Sequence, residues 1–130
     1  MLIVPPVSEE QILILSGGLT VHNLRDFSCF SEATAKPEYK AFDKAILDAV
    51  TISDVRLRLP LFLVALVADR LQPAERKDAL LRLTKHPGFR LSHPRADHFV
   101  PLYIAAGAGE GGDVRVLSAI HGSPTFVFGL

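Results

Sequence analysis

The feature that most constrains the fold is a short apolar run, QILILS at positions 11–16, which ends at Gly17-Gly18. A continuous apolar run of this length, bounded by glycines, is typical of a strand covered on both faces, as in a parallel sheet. His22 would then lie at the carboxyl end of the strand, and Asn23 would cap a following helix with Asp26 in its first turn. Because ligands of open α/β sheets bind at that edge, the segment is the first candidate for a site.

Four further segments carry the periodicity, or the proline and glycine signals, of helices. The predicted helices cover 37–50, an apolar stretch at 59–71, the stretch from Pro73 to a stop at Pro87-Gly88, and a helix from Pro94 or Asp97 to Gly107 or Gly109. Strands are predicted at VRVLSAI (114–120) and in the tail SPTFVFGL (123–130). The sequence therefore predicts one α/β domain, 1–130, with a partial mixed or parallel sheet flanked by helices.

Charge and hydropathy exclude several classes of partner. The 14 basic residues balance the 14 acidic ones, so no net field attracts nucleic acid or an anionic membrane. The single cysteine, Cys29, excludes an internal disulfide and is interpreted as a small buried hydrophobe. The N-terminus lacks the pattern of a signal peptide, and the longest apolar run is too short to span a bilayer. We expect a cytoplasmic protein without a nucleic-acid or membrane partner.

Two histidines, His93 and His98, lie five positions apart in the stretch LSHPRADHF. That spacing does not place both rings on one face of a helix, because a helix aligns positions three and four apart. If the helix begins at Pro94 or Asp97, His93 belongs to the preceding loop and His98 to the first turn. Both rings can then turn toward one point without sharing a helical face.

Histidine is the main chemical resource of the chain, since the sequence has no phosphate-binding glycine loop, no CxxC pair and no HExxH pair. His22, His93 and His98 lie at predicted element ends, where sites are usually assembled. Neutral imidazole binds metals and also transfers protons near neutral pH. Spacing alone leaves a structural role open for each of them. His86 is interpreted as serving the C-terminus of its own helix.

Two segments, ILILSGGLTVHNLRDF and HPRADHFVPLYIAAGAGE, resemble the C-terminal half of the class III extradiol ring-cleavage dioxygenases. The resemblance is greatest to the single-chain, DOPA-type branch, and it spans Gln11 to Glu110. Both segments contain histidines, and the two occur in the order that the family has.

This resemblance implies a cofactor, a substrate class and roles for individual residues. The cofactor would be a non-haem ferrous ion, with zinc possible, that holds a catechol-type substrate and activates O2. His22 of VHNL would be the acid–base residue, His98 of HPRADH a metal ligand, and His93 a contact to substrate or bound oxygen. Asn23 and Asp97 would orient the histidine rings without binding the metal themselves.

The resemblance also implies that part of the metal site lies elsewhere. In full-length members two further metal histidines come from the N-terminal half, one of them in an HG-S/G-P motif, and this chain begins after both. The spelling HGSP does occur at 121–124, but near the C-terminus, so we interpret His121 as a coincidence. We therefore expect a truncated chain that alone lacks a complete metal site and catalysis.

Two alternatives remain open from the sequence. One is a non-catalytic binding or interaction module that retains the fold, because a sheet without its other half leaves an edge and a face that favour a partner. The other is a homo-oligomer in which His22, His93, His98 and His121 of neighbouring chains assemble a new site.

Overall fold

The computed structural model describes residues 14–52, 73–110 and 112–130, and their architecture is mixed α/β. The helices are α1 (Pro37–Thr51), α2 (Pro73–Arg82), α3 (Pro87–Ser92) and α4 (Val100–Ala108), with 3-10 turns at Phe27–Phe30 and Leu83–Lys85. The strands are β1 (Val114–Ser118) and β2 (Thr125–Phe128). None of these described helices combines the length and the apolar character that crossing a bilayer requires.

Helix α1 provides the central face of the core. Its apolar residues recur at helical spacing, and Pro37 fixes the backbone of the first turn, so the predicted helix at 37–50 is confirmed. The helix packs against α2 and α3. Its buried apolar residues are Tyr39, Phe42, Ile46, Ala49 and Val50.

Four buried rings join α1, α3 and the entry to α4. The centroids of Phe42, Phe89, His93 and Phe99 lie 5.1 to 6.2 Å apart in every pairing. Aromatic pairs at such separations each add about 0.5–1.5 kcal/mol beyond the area they bury. This ring cluster encloses His93 in the interior and fixes where the chain turns toward His98.

The helix predictions after α1 are correct in part. Helix α2 begins at Pro73, as predicted, but Pro87-Gly88 does more than end it, since Pro87 is the first residue of α3, a helix that was not predicted. The interpretation of His86 is correct only for its backbone, whose N–H donates to the Leu83 carbonyl at 3.1 Å at the end of the 3-10 turn that follows α2. Its side chain instead caps the start of α3, because Nδ1 accepts a hydrogen bond from Gly88 N–H at 3.0 Å. The predicted helix at 59–71 lies outside the described residues.

Helix α4 begins at Val100, later than the predicted start at Pro94 or Asp97, because residues 94–96 form a bend and 97–99 a turn before it. Its last residue is Ala108, and Gly109 is the C-cap, as predicted for one of the two glycines. His98 therefore lies in the turn that leads into α4 and not in its first turn.

The sheet that the described residues form is antiparallel, and no parallel part of the predicted sheet is seen among them. Both predicted C-terminal strands exist, but they pair antiparallel, with Val114 opposite Phe128 and an irregularity between Val116 and Ser118. Positions 11–13 of the predicted first strand lie outside the described residues. Positions 14–16 form no strand, and Leu15 is 86% exposed, because no described strand lies beside this segment to pair with it and cover it.

The segment after His22 forms a tight loop in place of the predicted helix. Asn23 Oδ1 accepts from Arg25 N–H at 2.9 Å, a local turn that competes with helix formation. Asp26 then caps the 3-10 turn, accepting from Ser28 N–H at 3.2 Å. The same carboxylate contacts Lys36 Nζ at 2.6 Å, which ties the loop to the start of α1.

Replacing Asp26 by asparagine should remove a pH-dependent part of the stability. Hydrogen bonds from Lys36 and Ser28 hold the pKa of the Asp26 carboxyl well below its ordinary value. Because this pKa is depressed in the folded chain, the carboxylate contributes stability that is complete above about pH 4 and is lost as the pH falls through the folded pKa. In urea unfolding, the gap in stability between wild type and Asp26→Asn should therefore be wider at neutral pH than at about pH 3.

The control is Asp48→Asn, whose ion pair with Lys44 is exposed and should contribute little at either pH. A gap for Asp26→Asn of the same size at both pH values would contradict the prediction.

Candidate functional site

The two histidine motifs meet in space. His98 Nδ1 lies 3.3 Å from His22 Nε2, although the two residues are 76 positions apart. Their ring centroids are 4.6 Å apart, and the ring planes cross at 79°. His98 is exposed and His22 is half-buried. The structure therefore brings a nitrogen of each ring to one accessible point.

His93 lies behind this pair, inside the protein. Its ring is stacked on that of His22, with 6.3 Å between the centroids and 8° between the planes, and it is fully buried. Its Nε2–H donates to the carbonyl oxygen of Thr20 at 2.7 Å, while Nδ1 has no hydrogen-bond partner among the described residues. Burial lowers the pKa of His93 and so favours the neutral ring. His93 thus anchors the segment that leads into His22, and its contact to substrate stays a prediction.

Segment 14–20 approaches His98 so closely that a glycine is needed. A Cβ built on Gly18 would lie 2.4 Å from the carbonyl oxygen of His98 and 3.2 Å from Pro101 Cγ. Ser16 Oγ also donates to the Pro101 carbonyl at 2.8 Å. The glycine pair therefore lets the backbone before His22 lie against the entry to α4.

Replacing Gly18 by alanine is expected to push this segment away from His98. The expected loss of stability is about 1–3 kcal/mol, the range for inserting atoms into a closely packed contact. Gly17→Ala is the matched control, because a Cβ at Gly17 meets no atom within 4 Å. Urea unfolding of both variants provides the measurement, and equal stabilities would show that the close approach does not occur.

A cavity of about 280 Å³ opens beside His98. It lies just below the range of about 300–1,000 Å³ that is common for ligand pockets, so it suits a small ligand. Segment 16–20, the start of α4 and strand β2 form its walls. The lining side chains and backbone include Gly17, Gly18, Thr20, Leu102, Ala105 and Phe126.

Asn23 and Asp97, the two residues expected to orient the histidine rings, differ in burial: Asn23 is buried and Asp97 is exposed. The buried Asn23 side chain donates to the Leu91 carbonyl at 2.9 Å and to the Tyr39 hydroxyl oxygen at 3.2 Å. These bonds hold the loop after His22 onto α1 and α3. Asp97 is exposed in the turn before His98, and its role in orienting a ring stays a prediction.

The described residues supply imidazoles but not a complete metal site. The 3.3 Å between His22 Nε2 and His98 Nδ1 is close to the separation of two nitrogens bound at about 2.0–2.1 Å to one tetrahedral ion. No group of three His, Cys, Asp or Glu side chains able to hold a metal occurs within 14–52, 73–110 and 112–130. Because a ferrous site needs three protein groups, a metal at this point requires ligands from outside the described residues.

Sequence reasoning missed a buried pair close to the site. His121 Nδ1 lies 3.3 Å from Asp43 Oδ2, and the two side chains are only 6% and 10% exposed. A signal for Asp43 was present, because it falls on the apolar face of α1, four positions after Tyr39 and three before Ile46. A carboxylate at such a position is buried only with partners, and the partner is the histidine that the sequence interpretation set aside.

Comparison with known proteins yields one informative relative. The chain is 38% identical over 121 residues to a "4,5-DOPA dioxygenase extradiol-like protein" of Schizosaccharomyces pombe. The match covers 93% of this chain but 35% of that protein, so the chain spans about a third of the length of its relative. No family model matches the chain, and no solved structure matches it significantly. The homology confirms the resemblance that the two histidine motifs indicated.

Proposed function

We propose that this chain, a homologue of part of an extradiol DOPA-dioxygenase-like protein, is the C-terminal portion of a non-haem Fe(II) extradiol dioxygenase. The proposed reaction opens a catechol-type ring with O2. The observation that carries the proposal is the meeting of His22 and His98, since each comes from one of the two motifs on which the resemblance depends.

Each histidine has a distinct proposed role. His98 is proposed as a metal ligand, for ferrous iron or for zinc as the alternative; the bound ion would supply a site for the catecholate and for oxygen activation. His22 is the proposed acid–base residue, with Nε2 as the nitrogen that takes a proton from a substrate hydroxyl and returns it. His93 supports His22 from behind, because its buried ring excludes water from that side and holds the Thr20 carbonyl.

The remaining ligands are proposed to come from another part of the protein, which by the resemblance is the N-terminal half. Three observations support this. The described residues hold no group of three metal-binding side chains, and the chain spans about a third of its relative. Large apolar side chains are also exposed on both sides of His22, as expected for a surface that another segment covers. They are Leu15, Leu19, Leu24 and Phe27.

The same exposed apolar surface also favours a second candidate, a non-catalytic interaction module that has kept the fold. In that case the chain would associate with a partner through this surface, and His22 and His98 would have no substrate. The two candidates differ in whether a complete site turns over a catechol.

A chimera tests the proposal. In it, this chain replaces the matching segment of the Schizosaccharomyces pombe relative, and the purified protein is loaded with ferrous iron and given DOPA or catechol with O2. We expect oxygen uptake together with a coloured ring-opened product, and neither from the isolated chain. The unmodified relative is the positive control. A folded, iron-loaded chimera that opens no ring under conditions in which the relative does would contradict the proposal and favour the interaction module.

A further inference from the structure

The turn between β1 and β2 is tied to helix α1 by a single buried carboxylate. Asp43 Oδ1 accepts from Gly122 N–H at 3.0 Å, and Asp43 Oδ2 lies 3.3 Å from His121 Nδ1. Gly122 has φ +71°, a left-handed conformation that glycine adopts without strain. One side chain of α1 therefore fixes both residues at the tip of this turn.

The His121-Gly122 turn also holds the chain on the N-terminal side of His22. The carbonyl oxygen of Gly122 accepts from Thr20 N–H at 3.0 Å and from Val21 N–H at 3.4 Å. Since His93 binds the carbonyl oxygen of Thr20, Thr20 is held by hydrogen bonds at both its amide and its carbonyl. The direction in which the chain enters His22 is thereby set.

The same turn holds the chain on the C-terminal side of His22. His121 Nε2–H donates to the Cys29 carbonyl at 3.1 Å. The buried Cys29 Sγ accepts from Asn23 N–H at 3.2 Å, directly after His22. The His121-Gly122 turn thus contacts the loop that carries His22 on both of its sides, and Asp43 holds the turn.

From these contacts we infer that Asp43 is a positioning residue for His22: through the His121-Gly122 turn it holds the ring of His22 against that of His98. The inference rests on the proposed acid–base role of His22, because only that role makes the orientation matter for function. It assigns to the HGSP segment a part in the site that differs from metal binding.

A purely structural role for Asp43 would change stability and leave the geometry of the two rings intact. The ring nitrogen signals of His22 and His98 separate the two cases, because they report the contact between the rings and not the stability of the fold. They can be recorded by long-range 1H–15N NMR on the 130-residue chain at a temperature where each variant is folded.

The test compares three substitutions in helix α1. Asp43→Ala removes both contacts to the turn and should shift the ring signals of His22 and His98. Asp43→Asn should restore the wild-type signals, because its oxygen can still accept from Gly122 N–H and its amide can donate to His121 Nδ1. Asp48→Ala is the control, since it removes an exposed carboxylate from the same helix. A folded Asp43→Ala chain with wild-type signals for both rings would overturn the inference.

Gly122→Ala gives an independent test if Asp43→Ala does not fold. Its control is Gly129→Ala, which introduces a comparable backbone strain, at φ +83° against +71°, but away from the histidines. A Cβ at Gly122 would also lie 3.1 Å from the Val21 carbonyl oxygen. Gly122→Ala should shift the His22 signals and Gly129→Ala should not. Equal effects of the two variants would overturn the inference.

Turnover of the chimera distinguishes this inference from the proposed function. Asp43→Ala is expected to lower kcat by up to about 10²-fold with a smaller change in KM, the effect of misplacing a catalytic group. If the ring signals respond to Asp43→Ala but the chimera opens no ring, the proposed function fails and the positioning role stands. If the chimera is active and neither its kcat nor the ring signals respond, the positioning role fails and the proposed function stands.

Discussion

Replacing His22 by glutamine in the iron-loaded chimera is expected to lower kcat by about 10²–10⁴-fold while the iron content stays at the wild-type level. Glutamine is similar in reach to histidine and keeps a hydrogen-bonding end, but it cannot take up and release a proton near neutral pH. In this structure His22 Nε2 faces His98 Nδ1 at 3.3 Å, and the residues around it hold the backbone of its loop. The measurement is the rate of oxygen uptake together with metal analysis of the same sample.

The control for this prediction is His86→Asn. His86 caps helix α3 through Nδ1, and asparagine is a good residue for the same cap, so turnover should be unchanged. Two results would contradict the assignment of His22. Unchanged turnover would show that its proton is not needed, and loss of iron would show that His22 is itself a ligand, which its distance from His98 Nδ1 permits.

Replacing His98 by alanine is expected to have the largest effect on the metal. Removal of a group that only supports a ligand typically lowers metal affinity by about 10–100-fold. The iron affinity of the chimera should fall by more than this in His98→Ala, and ring cleavage should cease. The physical reason is that a ferrous site depends on three protein groups in fixed geometry, of which this chain is proposed to supply His98. Competition with a coloured chelator measures the affinity.

Asp97→Asn is compared with His98→Ala for loss of iron affinity, because Asp97 lies next to His98 and is proposed only to support this ligand. Its loss of iron affinity should be within about 10–100-fold and therefore smaller than that of His98→Ala. If His98→Ala keeps the affinity of the unsubstituted chimera, or if Asp97→Asn costs more than His98→Ala, the proposed metal ligand is wrong.

The parts of the fold that could be predicted from the sequence are those that local pattern decides. Helix α1 followed from apolar residues at helical spacing after Pro37, and the two C-terminal strands followed from β-branched and aromatic content. Helix α3 could not be predicted, because Pro87-Gly88 reads as the end of one helix, although proline is equally suited to the first turn of the next.

The parallel part of the predicted sheet is not seen among the described residues. The run at 11–16 was interpreted by its composition, but a strand needs a neighbour, and the described residues provide none for positions 14–16. Leu15 is accordingly exposed where the pattern predicted burial. An apolar run indicates that a segment is buried in the complete protein, and it does not identify what covers it.

In the candidate site, too, the residues of the two histidine motifs could be predicted, and the contact between Asp43 and His121 could not. The motifs predicted His22, His93 and His98 near one another, and the structure places the ring centroids of His93 and His98 at 6.3 and 4.6 Å from that of His22. The pair of Asp43 and His121 could not be predicted as a pair, because the two residues are far apart in sequence and meet only through the packing of α1 against the turn. A charged residue on the apolar face of α1 was the one local sign that such a partner exists.

The convergence of the two motifs is tested most directly by nuclear Overhauser contacts between the ring protons of His22 and His98 in the 130-residue chain. With ring centroids 4.6 Å apart, cross-peaks between the two rings are expected, and they should weaken in Gly18→Ala but not in Gly17→Ala. Rings that show cross-peaks only to side chains of their own segments would contradict the convergence, and with it the proposed site.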